Sequence, residues 1–149
     1  MKIEEEISQS KFKSRNHKLI VNIIYTFNWL YEKQFKILKP FGLTIQQYNI
    51  LRILRGQSPD PATIKLLKER MLDKMSDASR LVEKLRVKGL VHRRICDKDR
   101  RNVDVLITEK GLDLLSEIDK KEDEFEKLID NLETEETDEL NNLLDKLRG

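Results

Sequence analysis

Between Met75 and Thr108 the chain sets out cations at two kinds of spacing. Arg80 and Lys84 stand four residues apart, so a helix carries them on one face. Arg93, Arg94, Lys98, Arg100 and Arg101 crowd together just downstream, around a short polar run, DKDRRN. Ammonium and guanidinium groups in such an array bind phosphate, and a guanidinium can also grip the O6 and N7 edge of guanine with two hydrogen bonds. Ser76 and Ser79 lie beside Arg80 and can donate to phosphates or bases. Asp77 and Glu83 interrupt the array, and a carboxylate beside a polyanion needs a partner of its own. We count Ser76, Asp77, Ser79, Arg80, Lys84, Arg93, Arg94, Lys98, Arg100 and Arg101 as candidate contacts to double-stranded DNA. Arg80 is the candidate base reader. Lys65 and Lys68, upstream, are candidate phosphate contacts that position without specifying sequence.

Charge over the whole chain supports a polyanion partner for this stretch alone. The formal net charge is only +2, but it is unevenly spread. Residues 65–101 hold thirteen Lys/Arg against six Asp/Glu. Residues 102–149 hold six against sixteen, so the C-terminal segment must lie away from any nucleic acid. The bland alternative is that these charges are solvated faces and the wing-like turn only a soluble loop with weak ion pairs.

Several elements must position these side chains. Apolar residues from Leu19 to Leu38 recur in steps of three and four, which predicts a long helix over residues 12–39, stopped by Pro40 and Gly42. So long a helix overhangs a small domain, and its apolar stripe needs the C-terminal helices or a second subunit. T-I-Q-Q from Thr44 is a capping box for a second helix ending at Gly56, with Ile45, Tyr48, Leu51 and Leu54 inward. Asp60 and Pro61 predict the start of a third helix, running to about Met71. A fourth is expected over Met75–Lys88, with Asp73 as a possible cap, Ala78, Leu81, Val82 and Leu85 inward and Gly89 as its stop. Leu90–Cys96 and Val103–Thr108 read as two strands. Thr108 caps a fifth helix over 109–131, and Thr134 a sixth to about Leu147, both leucine-rich inside and acidic outside.

Two short helices, the second basic, followed by a charged hairpin describe a winged helix-turn-helix. The second helix suits the major groove. The hairpin tip suits the minor groove, where a narrow stretch concentrates negative potential. The fold class is mainly α with a small β-hairpin wing. Other functions find little footing. There is no Gly-rich phosphate loop, no Cys/His ligand spacing and no serine elbow, and His17 and His92 are far apart, so neither an enzyme nor a metal or other cofactor is expected. A protein-interaction module built on the leucine-rich terminal helices is the alternative, though it leaves Arg93–Arg101 without a purpose. No apolar run is long enough to span a membrane, no signal-peptide core is seen, and the single Cys96 fits a reducing, cytoplasmic setting. We expect Cys96 to be a buried or half-buried strand residue without a redox role.

The segment LVEKLRVKGLVHRRICDKDRRNVDVLITEKG, from Leu81 to Gly111, resembles the core signature of the MarR family of transcriptional regulators. The matching features are the helix ending in KGLV, the D-x-D-R-R turn, the hydrophobic return strand and the T-E-K-G entry to the next helix. Leu66-Leu67 stands where the family has a leucine–alanine pair. The resemblance implies a single subunit over 1–149. Its winged helix-turn-helix lobe would span 44–108, flanked by dimerisation helices over 12–39 and 109–149. It further implies a homodimer on a palindromic operator, repressor action, and an Asp99–Arg101 ion pair in the wing. Relatives also take small aromatic or carboxylate ligands beside the dimerisation helices. For these, His17, Tyr25, Trp29 and Tyr48 are the candidate pocket residues.

Overall fold

The computed structural model describes residues 1–149. A short helix α1 (Ile3–Glu6) precedes the long helix α2 (Arg15–Leu38). Ser14 caps α2 by accepting from the His17 amide at 3.0 Å. A 3-10 turn over Lys39–Phe41 and Gly42, in the left-handed region at φ 70°, end this first segment. Helix α3 (Ile45–Gln57) opens on the expected capping box: Thr44 accepts from the Gln47 amide, and Gln47 accepts from the Thr44 amide. Gln47 is buried, and its oxygen also accepts a hydrogen bond from the Lys88 ammonium at 3.2 Å, so the buried amide oxygen is satisfied. The helix runs through Gly56 rather than stopping there.

The next turn departs from expectation. Asp60 and Pro61 do not start a helix. Ala62–Thr63 form a two-residue strand β1, and Thr63 then caps α4 (Ile64–Arg70). The physical reason is tertiary: β1 finds an edge on β3 (Val103–Ile107), pairing Ala62 with Val105 and Thr63 with Asp104. Helix α5 (Ala78–Val87) starts three residues later than predicted, capped by Asp77 instead of Asp73. Strand β2 (Val91–Ile95) returns antiparallel to β3, giving the sheet order β1-β3-β2.

Thr108 caps α6 (Glu109–Asp119) as expected, accepting from the Gly111 amide at 3.1 Å. Gly111 is there for room. A Cβ built on it would stand 2.4 Å from the Leu90 carbonyl oxygen and 2.7 Å from Ile107 Cγ1. The predicted helix over 109–131 is broken. It becomes α6, then α7 (Glu122–Glu126) and a 3-10 turn over Lys127–Ile129. After Ile118 the apolar stripe lapses until Phe125, so a continuous helix would have had nothing to bury there. Helix α8 (Thr134–Arg148) ends the chain, with a capping box from Glu133 and Glu136.

The core lies between α3, α4, α5, the sheet and α6. Ile50, Leu51, Leu54, Leu67, Met71, Val82, Leu85, Val105, Leu115 and Ile118 are fully buried, joined by Leu38 from the end of α2. Each such aliphatic side chain contributes about 1.5–3 kcal/mol of burial free energy. The terminal helices behave differently. Helix α8 buries no residue, and α2 buries only Leu38. Ile20, Ile24 and Phe27 form one exposed face of α2, and Leu140, Leu143 and Leu147 one exposed face of α8. No helix is long and apolar enough to cross a membrane.

Candidate nucleic-acid interface

The turn between α4 and α5 is held by side chains reaching across from α3. Asn49 Oδ1 accepts from the Leu72 amide at 3.0 Å, and Gln46 Nε2 donates to Asp73 at 3.3 Å. Asp73 Oδ1 in turn accepts from the Met75 amide at 3.0 Å. The hydroxyl of Ser76 bonds the same carboxylate and is the main cause holding the Asp73 pKa below its ordinary value, with Gln46 adding to it. Asp77 Oδ1 accepts from the Arg80 amide at 3.1 Å and fixes the first turn of α5. Lys74 donates to the carbonyls of Lys68 and Glu69, at the C-terminal end of α4. Asp77 is thus committed to capping and Ser76 to the turn. Ser79, Arg80 and Lys84 remain exposed on the outer face of α5, and Arg80 and Lys84 enter no ion pair.

Glu83 lies among them. It accepts from Arg86 through both oxygens, at 2.7 and 3.0 Å, and stands 3.3 Å from the Arg93 guanidinium. Its carboxyl is held below its usual range, first by the Arg86 hydrogen bonds and then by the two positive charges. Arg94 pairs with the buried Asp104 at 3.8 Å. So two of the predicted wing cations are engaged within the subunit. Nothing in the local sequence marks the grip of Glu83 on Arg93, because it joins a helix to a strand.

The wing tip is ordered by Asp99. Its carboxylate accepts from the Arg101 amide at 3.0 Å and from Asn102 Nδ2 at 3.2 Å, and it pairs with the Arg101 guanidinium at 3.6 Å. The Asn102 amide donates to the Asp99 carbonyl, and the Cys96 amide to the Asn102 carbonyl. The Arg101 side chain is 95% exposed even so, and Lys98 and Arg100 project without an ion-pair partner. Cys96 is half-buried, just past the end of β2. Lys65 and Lys68 are exposed on α4.

The four candidate pocket residues do not come together. Tyr48 lines a cavity of about 320 Å³ between α2, α3, α6 and α7. There its ring stacks on Phe125, with centroids 5.9 Å apart, and the Arg52 guanidinium lies over it at 5.7 Å. Arg55, on the same wall, binds Asp119 at 2.7 Å. Tyr25 and Trp29 line a separate cavity of about 290 Å³ beside α1. The Tyr25 hydroxyl donates to Glu6 at 2.7 Å, and this bond raises the phenol pKa. His17 borders neither cavity: its Nδ1 accepts from the Lys13 amide, and its ring meets Phe12 edge-on. Sequence reasoning grouped the four by chemistry. One face of α2 cannot present His17, Tyr25 and Trp29 to the cavity that holds Tyr48. Arg52 and Phe125, which pack on Tyr48, and Arg55, which lines the same cavity, carry no mark of a pocket in the sequence because each reads as part of an ordinary helix face.

Comparison with known proteins agrees with this geometry. Residues 41–102 match the model of the MarR family. AbsC, a MarR family transcriptional regulator from Streptomyces coelicolor, is 26% identical, with a TM-score of 0.77 over 93% of this chain and 96% of that one. The organohalide-sensing regulator RdhR, solved in its 2,4-dichlorophenol bound form, is 21% identical, with a TM-score of 0.82 over 94% and 85%. MepR of S. aureus, solved as a complex with DNA, is 23% identical, with a TM-score of 0.73 over 92% and 97%. Helix-turn-helix, wing and flanking helices all fall within these alignments, so the chain shares the winged-helix fold of these regulators, and its residues 41–102 are similar to the MarR family.

Proposed function

We propose that this chain is a sequence-specific DNA-binding repressor, acting in the cytoplasm as a homodimer on a palindromic operator and released by a small aromatic or carboxylate ligand. The observation that carries the reading is the set of exposed cations without an ion-pair partner on α5 and on the wing tip. Arg80 and Lys84 stand on the outer face of α5, and Lys98 and Arg100 on a wing tip pinned by Asp99. In this reading residues 44–108 form the DNA-binding lobe. Helix α5 enters the major groove, Arg80 and Ser79 read bases, and the wing grips the adjacent minor groove. Lys84, Lys98 and Arg100 hold phosphates.

The exposed apolar faces of α2 and α8 support pairing of two subunits through residues 12–39 and 109–149. The same faces would serve the rival reading, an interaction module that does not bind DNA. A ligand site finds support in the cavity at Tyr48 and Phe125, whose aromatic walls and two arginines suit a phenol or carboxylate. The ligand-bound RdhR and DNA-bound MepR structures lend weight to the corresponding parts of the reading.

The test is affinity selection of duplexes from a random-sequence library, followed by anisotropy titration of the recovered duplex across a salt series. If Lys84, Lys98 and Arg100 of two subunits make about six phosphate contacts, log affinity falls with log salt at a slope of about −5. Arg101→Ala weakens binding while leaving the fold intact, and Leu143→Lys gives a monomer by sedimentation. An unselective protein with no salt-dependent binding to any duplex would leave the interaction-module reading standing.

A further inference from the structure

Met75 is the most exposed large apolar side chain of the helix-turn-helix, at 94%. A single exposed apolar residue is ordinary. This one is distinguished by where its backbone is held. Its amide donates to Asp73 Oδ1, and the Asp73 carboxylate is itself fixed by Gln46 and Ser76. Two residues later Asp77 caps α5. The main chain at Met75 is thus pinned from both sides while the thioether projects into solvent. Its neighbours are all occupied within the subunit. Lys74 is tied to the end of α4, Ser76 to Asp73, and Asp77 to the Arg80 amide. Leu72, the other exposed apolar residue of the turn, lies on the wall of the cavity that holds Tyr48. At the N-terminal end of α5 the side chains left facing outward are Met75, Ser79 and Arg80.

A recognition helix contacts base edges with its N-terminal residues. The apolar feature a major groove offers there is the C5-methyl group of thymine. A thioether on an unbranched stem is soft enough to cover a methyl without demanding one rotamer. We infer that Met75 reads a thymine methyl in each half-site, adding an apolar specificity contact to the polar ones from Ser79 and Arg80. The inference rests on the DNA-binding reading above and goes beyond it by naming the base and the group read.

The experiment uses the full-length protein and the duplex recovered by selection. Each thymine is replaced in turn, symmetrically in both half-sites, by deoxyuridine, which removes only the methyl. At one position the replacement should weaken wild-type binding about fourfold per half-site, and about fifteenfold for the symmetric pair, the effect of losing one buried methyl at each. Met75→Ala should bind the thymine duplex with a similar loss and be indifferent to deoxyuridine at that position. Met75→Leu should keep most of the methyl preference. Because Met75 touches no core residue, thermal melting should be unchanged in both variants. Wild-type affinity in Met75→Ala overturns the inference, and so does a methyl effect of equal size in both proteins, or a selected site with no thymine that responds. In each of those outcomes DNA binding itself survives. Failure of the wild type to bind any duplex overturns both readings together.

Discussion

Glu83 engages the Arg93 guanidinium at 3.3 Å within the subunit, and on the proposed reading removing its charge should change how DNA binding depends on salt. In Glu83→Gln the bidentate acceptor for Arg86 and the counter-charge 3.3 Å from Arg93 both become neutral. The side chain keeps its size, and the ion pairs are surface ones with about half of each side chain exposed, so stability should change by no more than about 1 kcal/mol. The effect on DNA should be larger. Freed from Glu83, Arg93 becomes available on β2, next to the wing, in both subunits of a dimer. Two added phosphate contacts steepen the salt slope by about 1.8, from about −5 to about −7. Between about 50 and about 200 mM salt, the variant's affinity should therefore fall about twelve times further than that of the wild type. Anisotropy titrations of both proteins on one duplex, at four or five salt concentrations, measure this directly. A slope equal to the wild type's, or a shallower one, would refute the reasoning. It would mean that Arg93 does not face the backbone, or that Glu83 aims it there.

Other perturbations separate the remaining parts of the account. Asp99→Ala loses the tip's anchor to the Arg101 amide and to Asn102, and should weaken binding about three- to tenfold as each wing must then be ordered on the DNA, whereas Asp99→Asn keeps an acceptor, drops a charge and should bind at least as well as wild type in the same titration. Gly111→Ala drives a methyl into the Leu90 carbonyl and Ile107, and should destabilise the protein by about 1–3 kcal/mol by urea unfolding without altering the charge of the interface. The Asp73 carboxyl has a lowered pKa in the folded state, so its contribution is full above the ordinary aspartate range and is lost as pH falls through the folded value. Unfolding midpoints measured from neutral pH downward should therefore show wild type more stable than Asp73→Ala, with the gap closing in acid. A constant gap would mean that the charge of Asp73 does not hold the turn.

Much of this arrangement is visible in the sequence where the deciding physics is local. Thr44 and Thr108 cap their helices as expected, Thr44 through the capping box with Gln47. Ala78, Val82 and Leu85 face inward, and Gly89 takes the left-handed turn at φ 73° that ends α5. Val103–Ile107 forms the expected strand, but its burial does not alternate: Asp104, paired with Arg94, is buried beside Val105. The errors lie where a distant partner decides. Asp60-Pro61 has the local chemistry of a helix start, but β3 recruits the next two residues into a sheet. Asp73 and Asp77 are both sound caps, and the choice falls to Asp77 because Gln46 and Ser76 already hold Asp73. Helix α1 has no periodicity to announce it. It rests on Ile3 and on the Glu4–Lys18 and Glu6–Tyr25 contacts to α2. The candidate interface follows the same rule. Which residues are cationic is plain in the sequence, while which of them are free depends on Glu83, Asp99 and Asp104 across the fold.

The central claim is that α5 and the wing together form a DNA-reading edge used twice by a symmetric dimer. Hydroxyl-radical footprinting on the selected duplex tests it most directly. The account predicts protection symmetric about a dyad, with two major-groove centres about one helical turn or a multiple of it apart and flanking minor-groove patches that disappear in Arg100→Ala/Arg101→Ala. A single asymmetric patch, or flanking protection that survives in the double variant, would contradict it.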